Sequence, residues 1–200
     1  MTKKDIPQQI QSLINHFNAK NFDHVILKGK TLIKKNPEYV ILYNLIGSAY
    51  QSTGEYEKAK ENFVNGLKLD NKNIALMNNL AMSYKNLLQY NMAQELYLKL
   101  ISINDKYINA YINFGNLKRD LNEFSESIKL YEKALSINEE NPTTNYLLAL
   151  ANQGIGNFEK AILYSEKALK YDKNFTRADH LISQSIKYDN NNKHYHNLKD

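Results

Sequence analysis

The sequence predicts an all-α fold, an α-α superhelix built as a right-handed solenoid of antiparallel helix pairs and closed by a C-terminal capping helix. Three observations carry that expectation. Small residues recur at an interval of 34. Apolar residues inside each interval are spaced by three, four and seven, as on one face of an α-helix. The 200 residues include only 7 Gly and 3 Pro, too few for the many tight turns of a sandwich or barrel.

The clearest unit spans 40–73. Its first half carries Tyr43, Ile46, Gly47 and Tyr50, and its second half Tyr56, Ala59, Phe63, Gly66 and Leu67, closing on Asp70. Two helices are implied, with Gly54 marking the turn between them. The unit 74–107 repeats the pattern as Met77, Leu80, Ala81 and Tyr84, then Tyr90, Ala93, Tyr97, Leu100 and Asn104, with polar Gln89 at the turn. The unit 108–141 gives Tyr111, Phe114 and Gly115, the turn Asn122-Glu123, then Phe124, Ser127, Tyr131, Ala134 and Asn138. The unit 142–175 gives Leu148, Ala149, Gly156, Phe158, Ala161, Ala168 and Asp172. It departs from the columns at Asn145, Asn152 and Ser165, as Lys118 and Ser127 do one unit earlier. Asn36-Pro37 and Asn141-Pro142 each pair a capping Asn with a Pro preset for a first helical turn.

A degenerate unit precedes these at 6–39. Phe22, Val25, Leu32, Ile33 and Asn36 fall in the expected columns, whereas Ile10, Leu13, Ile14 and Phe17 are displaced by one. At the other end, Leu181, Ile182 and Ile186 have helical spacing within 176–188, a helix without a partner that should cap the last unit. The tail 189–200 opens on Asn190-Asn191-Asn192 and stops without a clear cap, so the chain reads as cut from a longer protein. The logic of the array is that one helix pair cannot bury both its apolar faces, so pairs stack, and small residues let the helices approach closely.

The columns match the tetratricopeptide repeat family, which the chain resembles over residues 6 to 175. On that resemblance 6–39 is a degenerate repeat, and 40–73, 74–107, 108–141 and 142–175 are regular ones. The resemblance also implies that the first helix of each pair lines a concave groove, which would bind a protein or an extended peptide. The outward positions of those helices are Asn44, Ser48 and Gln51, then Asn78, Asn79, Met82 and Lys85. They continue as Asn109, Asn113, Asn116 and Arg119, then Thr143, Tyr146, Leu147, Leu150 and Gln153. A side-chain amide both donates and accepts, so it can pair with a peptide backbone of any sequence. Asn79 and Asn113 share a column and resemble the asparagine ladder of the O-GlcNAc transferase repeat region, although Asn is also common throughout this chain. Tyr146, Leu147 and Leu150 either anchor a partner side chain or lie under the capping helix. The carboxylate clamp of chaperone-binding repeats is absent, because Asn44, Asn109 and Asn113 stand where Lys or Arg would be needed.

Composition narrows the remaining classes. There is no Cys, hence no disulfide, thiolate nucleophile or Cys-based zinc site. The net charge of +5 is mild, carried by dispersed lysines with Arg only at 119 and 177, so it reads as solvated helix faces and not as a nucleic-acid surface. No signal-peptide pattern and no apolar run of membrane-spanning length is present. A cytoplasmic location is expected. Gly154-Ile155-Gly156 sits in an inter-helix turn and lacks the strand of a dinucleotide site. His194-Tyr195-His196 reads as polar tail and not as a metal site, and Glu139-Glu140 as solvated or capping residues. No catalytic residue, cofactor or metal is expected.

Three functions are compatible with these residues. The favoured one is a non-catalytic scaffold for a protein or peptide. Another is the targeting or acceptor-positioning region of a larger transferase, since His180-Leu181-Ile182-Ser183, Ile186-Lys187-Tyr188 and His194-Tyr195-His196 resemble the join to a sulfotransferase-like domain in bacterial repeat proteins. A third is a homo-oligomer stacked through the array ends.

Overall fold

The computed structural model describes residues 6–186. Among them are eleven α-helices and no strand. The helices are α1 (Ile6–Asn18), α2 (Phe22–Lys35), α3 (Val40–Ser52), α4 (Tyr56–Leu69), α5 (Ile74–Asn86) and α6 (Tyr90–Ile103), followed by α7 (Ile108–Asp120), α8 (Phe124–Ile137), α9 (Pro142–Gly154), α10 (Phe158–Tyr171) and α11 (Thr176–Ser185). Odd-numbered helices are the first and even-numbered the second members of pairs. The chain divides into two units, Met1–Asp105 with α1–α6 and Lys106–Asp200 with α7–α11.

In the first unit α2 packs on α1 and α3, and α4 on α3 and α5. The centre of this stack is Ile46, Phe63 and Leu76, with Val25, Leu42 and Leu13 nearer its start. Ala59 and Ala93 are fully buried, as close helix crossings require. Gly47 shows how close: a Cβ there would lie 2.5 Å from an edge carbon of the Phe63 ring. In the second unit α9 packs on α8 and α10, and α11 on α10 and α9. Tyr131, Leu148 and Ala151 are buried together there, with Tyr164 against them. Ala161 and Ala168 are also fully buried. Gly115 repeats the close approach, its absent Cβ 2.5 Å from the Tyr131 ring.

The turns inside the pairs share one backbone feature. Each holds one residue in the left-handed region, and these fall in a single column: Lys20 at φ 60°, Gly54 at 81°, Leu88 at 60°, Asn122 at 61° and Gly156 at 76°. In the α5–α6 turn that residue is Leu88, directly before Gln89. Glycine adopts this conformation without steric cost and asparagine tolerates it; leucine does not.

The caps divide in two. Asn141 caps α9 as expected, accepting from the Thr144 N–H at 2.8 Å with Pro142 in the first turn. Asn36 does not cap α3. It is the C-cap of α2 and its Nδ2 donates to the Leu32 carbonyl at 3.1 Å, while Tyr39 precedes α3 without a side-chain cap. Asn36 shares its column with Asp70, Asn104, Asn138 and Asp172, which end the other second helices. Asp70, Asn138 and Asp172 accept backbone N–H bonds from two residues on, from Lys72, Glu140 and Asn174, closing the turns between pairs.

The displacement expected in α1 is a rotation of its apolar face and not a shift of the helix, which lies one interval before α3 and has the same 13 residues. Ile6, Ile10 and Leu13 are buried, and Gln8, Gln11, Ser12 and Asn15 are exposed. The expected capping helix is α11, described as far as Ser185, with Ile186 at its C-cap. Leu181 and Ile182 are buried against its neighbours. The tail 189–200 and His194-Tyr195-His196 lie outside the described residues.

Candidate peptide-binding face

The outward residues of α3 and α5 form one polar network. Asn79 donates through Nδ2 to Asn44 Oδ1 at 2.9 Å and to Ser48 Oγ at 3.4 Å. Gln51 donates through Nε2 to the Asn79 carbonyl at 3.1 Å and to Ser83 Oγ at 3.2 Å. Every bond joins residues roughly one repeat apart, so the ladder runs across the stack and ties neighbouring first helices together. Asn44, Ser48, Gln51 and Asn79 are all half-buried. Asn44 retains its own Nδ2 donors, and Asn79 Oδ1 accepts only a long bond from Asn78 at 3.4 Å. A ladder of this kind is held rigid by its own bonds and still presents donors and acceptors outward.

Asn78 does not belong to the outward set. It is 7% exposed, and its Nδ2 points at Asn79 Oδ1 and at the Met82 sulfur, 3.7 Å away. One residue along a helix is a rotation of 100°, enough to turn it from solvent into the packing. Met82 and Lys85 are half-buried on α5.

In the second unit the outward residues on α7 sit at different depths. Asn109 is exposed and Asn113 half-buried. Asn116 is engaged from behind, its Oδ1 accepting the Tyr131 hydroxyl at 2.8 Å. Burial, above all, pushes the Tyr131 phenol up to about 12, so it stays a donor at any physiological pH. Arg119 pairs with neighbouring Asp120 at 3.3 Å, in part screened by solvent.

Further along, Tyr146 and Leu147 of α9 are half-buried and open onto a cavity of about 400 Å³. Thr143 lines it too, with Asn174, Phe175, Thr176 and Arg177 at the start of α11. The Tyr146 and Phe175 rings meet at 5.4 Å between centroids, tilted by 57°. Thus α11 supplies one wall of the opening and does not cover it. Leu150 is half-buried but outside this lining. Gln153 reaches α11 at Ser185, 3.5 Å away, repeating the Gln51–Ser83 bond. Phe175 and Arg177 were missed in the sequence because they belong to the loop and first turn after the last full unit. The column Tyr39, Asn73, Tyr107, Asn141 and Phe175 is aromatic at three of its five positions, a signal that could have shown the first of them.

Among the described residues no group of three or more His, Asp or Glu side chains is placed to hold a metal, and no helix is long and apolar enough to cross a membrane. Helix pairs packed in this way define a helical-repeat scaffold. The model described as "Tetratricopeptide repeat" matches residues 40–73, 74–107 and 142–175, and one described as "TPR repeat" matches 115–156. The chain belongs to the tetratricopeptide repeat family, whose members are generally non-catalytic scaffolds. No curated protein matches it. Among solved structures it is similar to MamA, at 23% identity over 82% of this chain and 95% of that one, TM-score 0.69. It is also similar to a thermophilic TPR protein of Thermus thermophilus, at 14% identity over 90% and 97%, TM-score 0.76. A third is YrrB, described as a TPR protein with an unusual peptide-binding site, at 17% identity over 90% and 92%, TM-score 0.66. These likenesses concern the fold. The expected join to a sulfotransferase-like domain finds no support in any of them.

Proposed function

We infer that this protein is a non-catalytic scaffold that holds an extended peptide, or an extended segment of a protein, along its first helices. The observation that carries the reading is the Asn44–Ser48–Gln51–Asn79 network. Its amides are fixed before any ligand arrives, so little side-chain entropy is lost when a peptide backbone pairs with them. The opening at Tyr146, Leu147, Phe175 and Arg177 suits an apolar or aromatic side chain of a ligand beside an acidic group. The peptide-binding site named for YrrB supports the same reading. Asn113 and Asn109 on α7 are further contacts in this proposal, and Met82 and Lys85 flank the ladder.

The test is a peptide-display library screened against the whole chain, followed by titration of the selected peptides. Asn44→Ala removes one rung at a half-buried site and Tyr146→Ala removes the aromatic wall. Loss of one or two hydrogen bonds of about 1 kcal/mol each weakens binding roughly fivefold to thirtyfold. Titrations left unchanged by both substitutions, with both variants melting like the parent, would place the ligand elsewhere.

A further inference from the structure

A second, chemically different surface lies on the first helix pair. The sides of α1 and α2 enclose a groove of about 300 Å³ with Leu13 and Leu32 at its floor. Its walls include Gln9, Ser12, Lys28 and Thr31. These four stand one repeat before Tyr43, Ile46, Asn62 and Asn65, which line the corresponding cleft of the α3/α4 pair. There, α2 forms the facing wall with Leu27, Lys30, Thr31, Ile33 and Lys34. Among the described residues nothing takes that place for the α1/α2 pair. The groove therefore has the shape of a seat for one helix, as the α3/α4 cleft has for α2.

Charge selects the occupant. Besides the two leucines, the groove carries Lys28, Lys35 and His24 and no carboxylate. α2 as a whole holds Lys28, Lys30, Lys34 and Lys35 against Asp23 alone. The other second helices mix Glu with Lys in near balance, and some pair them along the helix, as in Lys60 with Glu57 and Lys129 with Glu126. None of the described helices is net acidic, so a second copy of this chain is not the complement. The leucine floor and the absence of Arg from α2 disfavour nucleic acid.

We propose that the α1/α2 groove docks an acidic amphipathic helix of a partner protein, separately from the peptide held along the first helices. Leucines of that helix sit over Leu13 and Leu32, and its glutamates face Lys28 and Lys35. The surface would recruit one partner while the amide ladder holds another segment.

The experiment titrates a fluorescent synthetic helix, with Leu at positions i and i+4 and Glu flanking them, against the whole chain at low salt. Saturable binding is expected, weakened roughly tenfold by Lys28→Glu/Lys35→Glu and also by Ser12→Trp, which fills the groove. Ser12, Lys28 and Lys35 are exposed, so the variants keep the parent fold, and a thermal melt of each verifies it. Replacing the peptide's glutamates with Gln weakens binding likewise, whereas Asn44→Ala on the ladder leaves it intact. The two sites thus fail independently. No saturable binding, binding indifferent to the charge reversal and to Ser12→Trp, or displacement of the helix by a duplex oligonucleotide at equal concentration each overturns the proposal.

Discussion

Gly47→Ala is the substitution for which the structure gives competing magnitudes. In an isolated helix the change would stabilise, because Ala exceeds Gly by about 1 kcal/mol in helix propensity. Here the new methyl would lie 2.5, 2.8 and 2.9 Å from three carbons of the Phe63 ring. That ring is rigid and fully buried, so it cannot swing into solvent. Overpacking of a filled core costs about 1–3 kcal/mol. An overlap on three atoms belongs in the upper half of that range, so the clash wins and the net loss should be about 1–2 kcal/mol. Guanidinium unfolding followed by circular dichroism reads this as a lower midpoint with unchanged slope. A cycle with Phe63→Leu adds a second reading, because the smaller side chain makes room for the methyl. A coupling of about 1 kcal/mol is expected between the two sites. Ala81 and Tyr97, both fully buried in the same columns of α5 and α6, show that an alanine can face an aromatic when the hairpin has formed around it. If Gly47→Ala proved as stable as the parent, the α3/α4 hairpin would be able to relax in the same way, and the packing argument would fall.

Other expectations follow from single observations. Leu88→Gly should stabilise by about 0.5–1 kcal/mol, since Leu88 holds φ 60° where the same column elsewhere has Gly54 and Gly156; a melting midpoint that falls would refute it. Ser165→Ala should raise the midpoint by an amount worth about 1 kcal/mol, because the Ser165 hydroxyl is buried with no hydrogen-bond partner; a loss would mean the hydroxyl is satisfied in solution. His24 stacks on His16 at 3.9 Å and is held below the usual 6.5 by loss of solvation, then by the His16 and Lys28 charges. The folded state therefore binds its proton later than the unfolded chain does. The contribution is intact above 6.5 and lost as pH falls below it. Protection of the α1 and α2 amides against hydrogen exchange, corrected for the intrinsic rate at each pH, should fall on acidification more in the parent than in His24→Gln, and equal pH profiles would dismiss the effect.

Much of this architecture was written in the residues. The interval of 34 and the alternation of small and large side chains follow from helix geometry and from packing between adjacent pairs, and both repeat from copy to copy. Ala59, Ala93 and Ala161 could therefore be assigned to the interior from spacing alone, and all three are fully buried. Asn36 and Asn141 looked alike because each precedes a proline, yet their columns differ and only Asn141 caps the next helix. Leu88 escaped notice because no local preference marks a leucine for a left-handed turn; the closure of the α5/α6 hairpin imposes it.

The candidate site was legible only as a face. Periodicity places Asn78 and Asn79 side by side, but the neighbouring helix decides which of them packs inward and which meets Asn44 across the stack. The same holds for the cavity at Tyr146, whose far wall comes from the first turn of α11. It holds for the α1/α2 groove, which is visible only when the α3/α4 cleft shows what fills its counterpart. By itself the sequence determined the helices, their pairing and the buried columns, since these rest on local and nearest-neighbour terms. The tertiary structure alone decided which polar groups bond one another and which surfaces stay open, because those depend on the rotation and separation of helices roughly one repeat apart.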